Sequence, residues 1–282
     1  MTKMSMEQIV EGVNDLPALP GVTVQVMRIA DDPKSTAQDM NAAISQDQAI
    51  TAKVLKLANS AFYGFARRIS SLTEATVMLG FKTVKSIVLA ASVSDMMAKE
   101  VTGYALAPGE LWRHSYACAV ASRLIARKVK YPLPDVAYTA GLLHDIGKVI
   151  LNHHLETAYQ DVVDSMDSGG MTFLEAEKSI LGFTHADVGS RVGHKWNLPA
   201  ELVEAIALHH NPEEASVNPS LTAIIHVADA LCLMMGIGIG IDGLSYPLSE
   251  KALGVLGLQP ADMEELVSAL SDFLTEDPSF VM

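Results

Sequence analysis

Thr83-Val-Lys-Ser-Ile-Val-Leu-Ala-Ala-Ser-Val-Ser-Asp-Met-Met97 decides how the fold is read. Val84, Ile87, Val88 and Ala91 recur at three- and four-residue spacing, the period of a helix and not the alternation of a strand. The same spacing runs outward through Met6–Val13, Val22–Ala30, Thr36–Ser45, Ala49–Asn59 and Thr73–Leu79. Stops fall at Asp31-Asp32-Pro33, at Asn59-Ser60 and at Gly80. Alternating runs joined by hairpin dipeptides are absent from the sequence, so an all-α protein is expected. The Gly-rich stretch Gly236-Ile-Gly-Ile-Gly-Ile-Asp-Gly243 lacks the preceding strand and following Lys of a phosphate loop and reads as a flexible apolar loop.

The 282 residues hold 20 Lys+Arg against 33 Asp+Glu, a formal charge of −13. That balance, with a pI near 5.0, disfavours a non-specific grip on nucleic acid or an anionic membrane, both of which need clustered cations. Hydrophobic residues make up 49% and charged ones 19%, enough for a core and too little charge for disorder. Two cysteines, Cys118 and Cys232, lie in apolar helical patterns and read as buried, inert thiols in a reduced compartment. The start, MTKMSMEQIV, has no apolar core of signal-peptide length. The most apolar stretch, Leu221–Ile241, is interrupted by His226, Asp229 and three glycines, so no membrane span is expected. A cytoplasmic location follows as an expectation.

Helix signals pause near Gly103–Pro108, where Pro108-Gly109 marks a turn, and a boundary is expected there. All nine histidines lie beyond it. Glu110 and His114 are four apart on a helix expected to run to about Lys130, so they share a face. His144 and Asp145 follow the apolar run Ala140–Leu143 and precede Ile146-Gly147-Lys148. On a regular helix the two would point about 100° apart and share a metal only at a helix end or a close backbone approach. Thr184 reads as an N-cap with Asp187 in the first turn, which puts His185 at a helix start. His194, nine residues on, falls on the opposite face and is left out. Ile206–Leu208 lead into His209 and His210 at a helix end, and Asp229 sits one turn after His226 in an apolar helix where an unpaired carboxylate is costly. His153 and His154 read as exposed helix-end residues. Each histidine alone is explained as a hydrogen-bonded core residue. Together, imidazoles and carboxylates from five helices suit a divalent Fe, Mn, Zn or Co site.

This order, Glu110-x3-His114, His144-Asp145-x2-Lys148, His185, His209-His210, Asp229, resembles the metal-dependent HD phosphohydrolase superfamily and the ligand order of HD-GYP cyclic di-GMP phosphodiesterases. The wider frame resembles the HDOD domain over roughly residues 12–230. Its marks are Leu16-Pro-Ala-Leu-Pro20, Ile44-Ser-Gln-Asp47, Leu55-Lys-Leu-Ala-Asn-Ser60, Ala75–Gly80 before Phe81, Gly141-Leu-Leu-His-Asp-Ile-Gly147, Trp196-Asn-Leu-Pro199 and His209-His-Asn-Pro212. Two departures from the phosphodiesterases stand out. No Gly-Tyr-Pro follows the paired histidines, since Ser245-Tyr246-Pro247 is too distant, and Asn211 stands where Glu is usual.

The resemblance implies a helical N-terminal lobe, residues 1–105, packed against an HD-type metal-binding domain, residues 106–282, with C-terminal helices. It implies a first metal site from His114, His144, Asp145 and Asp229. His185, His209 and His210 would hold a second ion bridged by Asp145, and Glu110 matches a position that supports an additional one. Asp145 and Lys148 would be the catalytic pair, Lys148 meeting a substrate phosphate. One or two divalent ions are expected, Fe or Mn before Zn or Ni. The expected function is a regulatory, signal-transducing module acting in trans through an unidentified signalling protein or a small phosphorylated ligand, without nucleic acid or membrane. The alternative is a metal-dependent phosphohydrolase or phosphodiesterase acting on a nucleotide or cyclic dinucleotide.

Overall fold

The computed structural model describes residues 19–60, 63, 65, 67–241 and 247–276. The expected helix Met6–Val13 and most of the Leu16–Pro20 motif lie outside these residues. Among the described residues all regular structure is helical, apart from one isolated antiparallel bridge between Val101 and Leu106. They divide into two compact units: those of Pro17–Asp95 with Ala269–Met282, and those of Met96–Ser268.

The first unit is built on α1 (Gly21–Asp31), α2 (Ala37–Ile44), α3 (Gln48–Ala58), α4 (Leu72–Leu79) and most of α5 (Phe81–Met97). Its helix starts are set by side chains that accept otherwise orphaned backbone N–H groups. Thr36 and Asp39 form a reciprocal capping box on α2, Asp47 accepts from Ile50 N at 3.0 Å, and Ser71 accepts from Glu74 N at 3.1 Å. Gly80, at φ +81°, ends α4 as its sequence position foretold. Asn59 fastens the segment after α3: its side chain donates to Leu55 O at 2.7 Å and Ile69 O at 2.9 Å and accepts from Ile69 N at 2.7 Å. The core is filled by Val26, Met40, Ile44, Val54, Val84 and Val88, all fully buried.

The second unit carries the histidines. It holds α6 (Glu110–Lys128), α7 (Pro134–Leu143), α8 (Ile146–Gly169), α9 (Phe173–Leu181), α10 (His185–Lys195), α11 (Ala200–Leu208), α12 (Pro219–Met234), α13 (Glu250–Leu256) and the start of α14 (Pro260–Glu276). Two crossings put backbone against backbone. A Cβ on Gly141 in α7 would lie 2.7 Å from Cys118 O in α6. A Cβ on Gly147 in α8 would collide with His185 O and lie 2.8 Å from Gly189 N in α10. Glycine is what allows both approaches. The expected flexible loop after α12 is tethered where it is described: Ile237 N donates to Cys232 O at 3.0 Å and Ile241 N to Tyr104 O at 2.9 Å. His153 and His154 lie inside the long helix α8 and not at a helix end, because the helix runs unbroken to Gly169.

Candidate metal centre

His114 stands one turn into α6, whose first residue Glu110 turns its Oε2 back to accept from Ala107 N at 2.7 Å. The Glu110 carboxylate is therefore engaged at the helix start, and the residue is not among those whose ligand atoms cluster. Between α7 and α8 the helix breaks at the His-Asp pair. His144 ends α7 and Asp145, at φ −97° and ψ 10°, opens α8. The break lets both side chains face one point, which a continuous helix would forbid. A capping box of Thr184 and Asp187 starts α10 and fixes His185, as expected. His209 and His210 leave the end of α11, and Asp229 comes from the apolar helix α12.

These residues meet. Nε2 of His114 lies 3.1 Å from Asp229 Oδ1 and 3.6 Å from Asp145 Oδ2. Nε2 of His144 lies 3.4 Å from Asp145 Oδ2 and 3.7 Å from Asp229 Oδ1. On the other side, Asp145 Oδ1 is 3.5 Å from His185 Nε2 and 3.8 Å from His209 Nε2. His185 Nε2 and His210 Nε2 are 2.9 Å apart. Asp145 thus stands between two groups of rings, one about His114 and His144, the other about His185, His209 and His210. His144, His185 and His209 are wholly buried, and His210 is the partly exposed member.

What each ring does with its other nitrogen fixes its orientation and tautomer. Nδ1 of His114 faces Ile237 O at 2.9 Å, Nδ1 of His144 faces Gly141 O at 2.7 Å, and Nδ1 of His209 faces Ile206 O at 2.7 Å. A carbonyl only accepts, so each Nδ1 carries the proton and each Nε2 is turned inward. Nδ1 of His185 donates to Glu177 Oε2 at 3.0 Å, and that oxygen also accepts the His185 backbone N–H at 3.0 Å. Tyr104 donates its hydroxyl to the other Glu177 oxygen at 2.5 Å. This is the arrangement by which metal-ligating histidines are aimed and made more basic.

The electrostatics suit a cation. Burial opposes ionisation of Asp145, but His144 and the Lys148 ammonium outweigh it and hold the carboxyl well below its usual range. Burial likewise opposes charge on Asp229, and the hydrogen bond from His114 overcomes it. For His114, burial works against protonation, yet the Asp229 carboxylate beside it raises the ring to about 9. Burial and the neighbouring His144 and His185 push His209 down to about 3, which leaves it a neutral, ligand-ready imidazole. His144 Nε2, His209 Nε2 and Asp145 Oδ1 are buried acceptors with no hydrogen-bond partner. Leaving such an atom unsatisfied costs about 1–3 kcal/mol, and three facing one space ask for a cation there. Nitrogen and oxygen donors in this mixture fit a divalent ion of the Fe, Mn, Zn or Co kind.

Lys148 is paired within the cluster. Its Nζ is 2.7 Å from Asp145 Oδ2 and 5.4 Å above the Tyr104 ring, and the residue is 5% exposed. His226 is one turn from Asp229 but turns elsewhere: Nδ1 donates to His209 O at 2.8 Å and Nε2 accepts from Ser249 N at 2.9 Å. It positions His209. His194, left out on helical phase, is exposed near the end of α10. The sequence pattern does not point to Glu177, to Tyr104 or to the carbonyls of Gly141, Ile206 and Ile237 as contributors. Only its place on a buried helix face could have marked Glu177. Phe173, Ala176 and Leu181 trace the buried face of α9, and a carboxylate at Glu177 sits on that face.

Comparison with known proteins agrees with the geometry. The HDOD domain family model matches residues 16–212. An HDOD domain protein of unknown function from Geobacter sulfurreducens has 28% identity and a TM-score of 0.76, with 96% of this chain and 93% of that one covered. A proposed phosphohydrolase from Shewanella amazonensis SB2B has 22% identity and a TM-score of 0.72, over 94% and 93%. A proposed signal transduction protein from Marinobacter aquaeolei VT8 has 21% identity and a TM-score of 0.72, over 95% of this chain and 64% of that one. These last two share the fold. An uncharacterized protein of Treponema pallidum (strain Nichols) is 26% identical over 220 residues, which is 73% of this chain but 40% of that relative's length. No described helix is long and apolar enough to cross a membrane. With the family model matched over more than half of its length, and with the His/Asp cluster in place, the chain belongs to the HDOD domain family.

Proposed function

We propose that the protein is an HDOD regulatory module whose buried cluster holds one or two divalent ions and that it acts through a protein partner or a small phosphorylated ligand. The observation that carries the metal part is the set of inward Nε2 atoms, each with its Nδ1 already held, converging on Asp145 and Asp229. His114, His144 and Asp229 would hold one ion, and His185, His209 and His210 a second, with Asp145 between them. When bound, such ions supply Lewis acidity and a lowered pKa for a coordinated water.

Two observations favour regulation over hydrolysis. Phosphoryl chemistry needs a reachable coordination position and a group to orient the phosphate. Here His144, His185 and His209 are fully buried and Asp145 is 1% exposed. Lys148 is spent on Asp145 Oδ2, so a phosphate would have to pull it away from a buried carboxylate. The alternative, a metal-dependent phosphohydrolase, is favoured by the same ligand set and by the proposed activity of the Shewanella amazonensis protein.

Elemental analysis of the purified protein tests the metal, with Fe or Mn expected ahead of Zn or Ni at up to two equivalents. Reduced, anaerobic assays with cyclic di-GMP and with bis-p-nitrophenyl phosphate test hydrolysis. Little or no cyclic di-GMP turnover is expected. Efficient cleavage that vanishes in Asp145→Ala would make the protein an enzyme.

A further inference from the structure

We infer that Cys118 supplies a thiolate to the ion held by His114, His144 and Asp229, making that site a mixed nitrogen, oxygen and sulfur site for a borderline-soft divalent cation. This rests on the proposal that the cluster binds metal, and it adds a ligand outside the His/Asp order.

Cys118 follows His114 by four residues on α6, so the two side chains share a face. Its Sγ is 3.5 Å from His114 Nε2. The four atoms His114 Nε2, Cys118 Sγ, a His144 nitrogen and an Asp229 oxygen all lie within 4.8 Å of one another, and all four residues are buried. Tetrahedral zinc-like bonds of about 2.3 Å to sulfur and about 2.0–2.1 Å to nitrogen or oxygen imply edges of roughly 3.6 Å and 3.4 Å. The observed N···S edge is 3.5 Å, and the two N···O edges at Asp229 are 3.1 and 3.7 Å. These three edges match those sizes to within about 0.3 Å, and the other three are no longer than 4.8 Å. His144 Nε2, buried and without a hydrogen-bond partner, points into the same space.

Chemically, a divalent ion displaces the thiol proton to solvent and forms one metal–sulfur bond, so one proton leaves per ion bound at this ligand. Cys232 lies three residues after Asp229 and backs Cys118 without belonging to the four-atom group. A sulfur ligand moves selectivity from Mn towards Fe, Co and Zn.

Cobalt(II) is the probe, because its visible bands report coordination and its near-ultraviolet charge-transfer band reports a thiolate. The full-length protein is loaded anaerobically as wild type, Cys118→Ser and Cys232→Ser. Wild type and Cys232→Ser are expected to show both sets of bands, and Cys118→Ser to lose the thiolate band while keeping the visible ones. Cobalt K-edge scattering from Cys232→Ser, where Cys118 is the remaining cysteine, is expected to include a sulfur at about 2.3 Å even if Cys118→Ser folds poorly. Visible bands without a thiolate band in wild type, or a thiolate band that survives Cys118→Ser, overturn Cys118 as a ligand and leave the metal proposal standing. No visible bands at a tenfold excess of cobalt overturn both.

Discussion

Gly147→Ala places a methyl group where α8 crosses α10 backbone to backbone. The new Cβ would collide with the carbonyl oxygen of His185 and stand 2.8 Å from both the His185 carbonyl carbon and Gly189 N. Ordinary contacts of this kind begin near 3.4 Å, so the helices must part by at least about 0.6 Å, and further to clear the oxygen. No flexible side chain can absorb the clash, because the obstructing atoms are main chain. Overpacking of this type costs about 1–3 kcal/mol, often more against backbone, while alanine in a helix returns up to ~1 kcal/mol. A net loss of about 1–3 kcal/mol is expected. The site suffers as well: Asp145 Oδ1 and His185 Nε2, now 3.5 Å apart, lie on the two helices being separated. Urea unfolding followed at 222 nm in chelator, with metal content measured in parallel, reads both effects. Gly254→Ala is the control, since nothing lies within 4 Å of its Cβ and it sits inside α13, where a gain of up to ~1 kcal/mol is expected. If Gly147→Ala unfolds at the same urea concentration as wild type and keeps its metal, the close crossing does not hold the site and the reasoning is refuted.

Asp145→Ala should abolish binding at both groups of rings, because its two oxygens face one group each, whereas His194→Ala should leave metal content unchanged; equal loss in the two variants would contradict the assignment. Glu177→Gln should fold with near-normal stability, since the amide oxygen can still accept from His185 and the Tyr104 hydroxyl can rotate to accept from the NH2. It should bind metal about 10–100-fold more weakly, as loss of a supporting carboxylate does; unchanged affinity by competitive chelator titration would remove Glu177 from the site. In chelator, His114 is raised to about 9 from 6.5, so its contribution to stability is full below about 6.5 and lost as pH rises through about 9. Unfolding midpoints should therefore fall from pH 6.5 to 9 without metal, and the decline should be smaller with metal, which takes the place of that proton; a flat profile in chelator would show that His114 is not held charged by Asp229.

Helix starts were legible because they are local. Thr184 with Asp187, three residues apart, read as a helix start and forms a capping box there, and Thr36 with Asp39 at the same spacing forms another where the helical pattern begins. Most of the cluster was legible for a related reason: His144, Asp145, His209 and Asp229 follow or interrupt apolar runs, His114 lies four residues from Glu110 on one face, and His185 follows the Thr184 cap. What escaped depends on the distance along the chain or on the backbone. The carbonyl that orients His114 belongs to Ile237, 123 residues away, and a carbonyl has no side-chain signature. Glu110 shares the His114 face, yet a backbone N–H three residues before it claims its carboxylate, a local competition that spacing alone cannot rank. Lys148 pairs with Asp145 at 2.7 Å across three residues, a contact as local as a capping box, yet the spacing alone does not say whether its ammonium meets that carboxylate or a phosphate.

His144 and His209 each donate Nδ1–H to the carbonyl three residues back, at Gly141 and Ile206, in the last turns of α7 and α11. Those carbonyls would otherwise end their helices unsatisfied. The two imidazoles are therefore helix terminators whether or not an ion is present. Selection for a stable fold preserves them on its own, and a lineage that stopped loading metal would keep both histidines in its sequence. The mark of lost metal chemistry in such a descendant would be decay at Asp145 and Asp229, whose carboxylates close no helix and would be left with Lys148 and His114 alone to meet their buried charge.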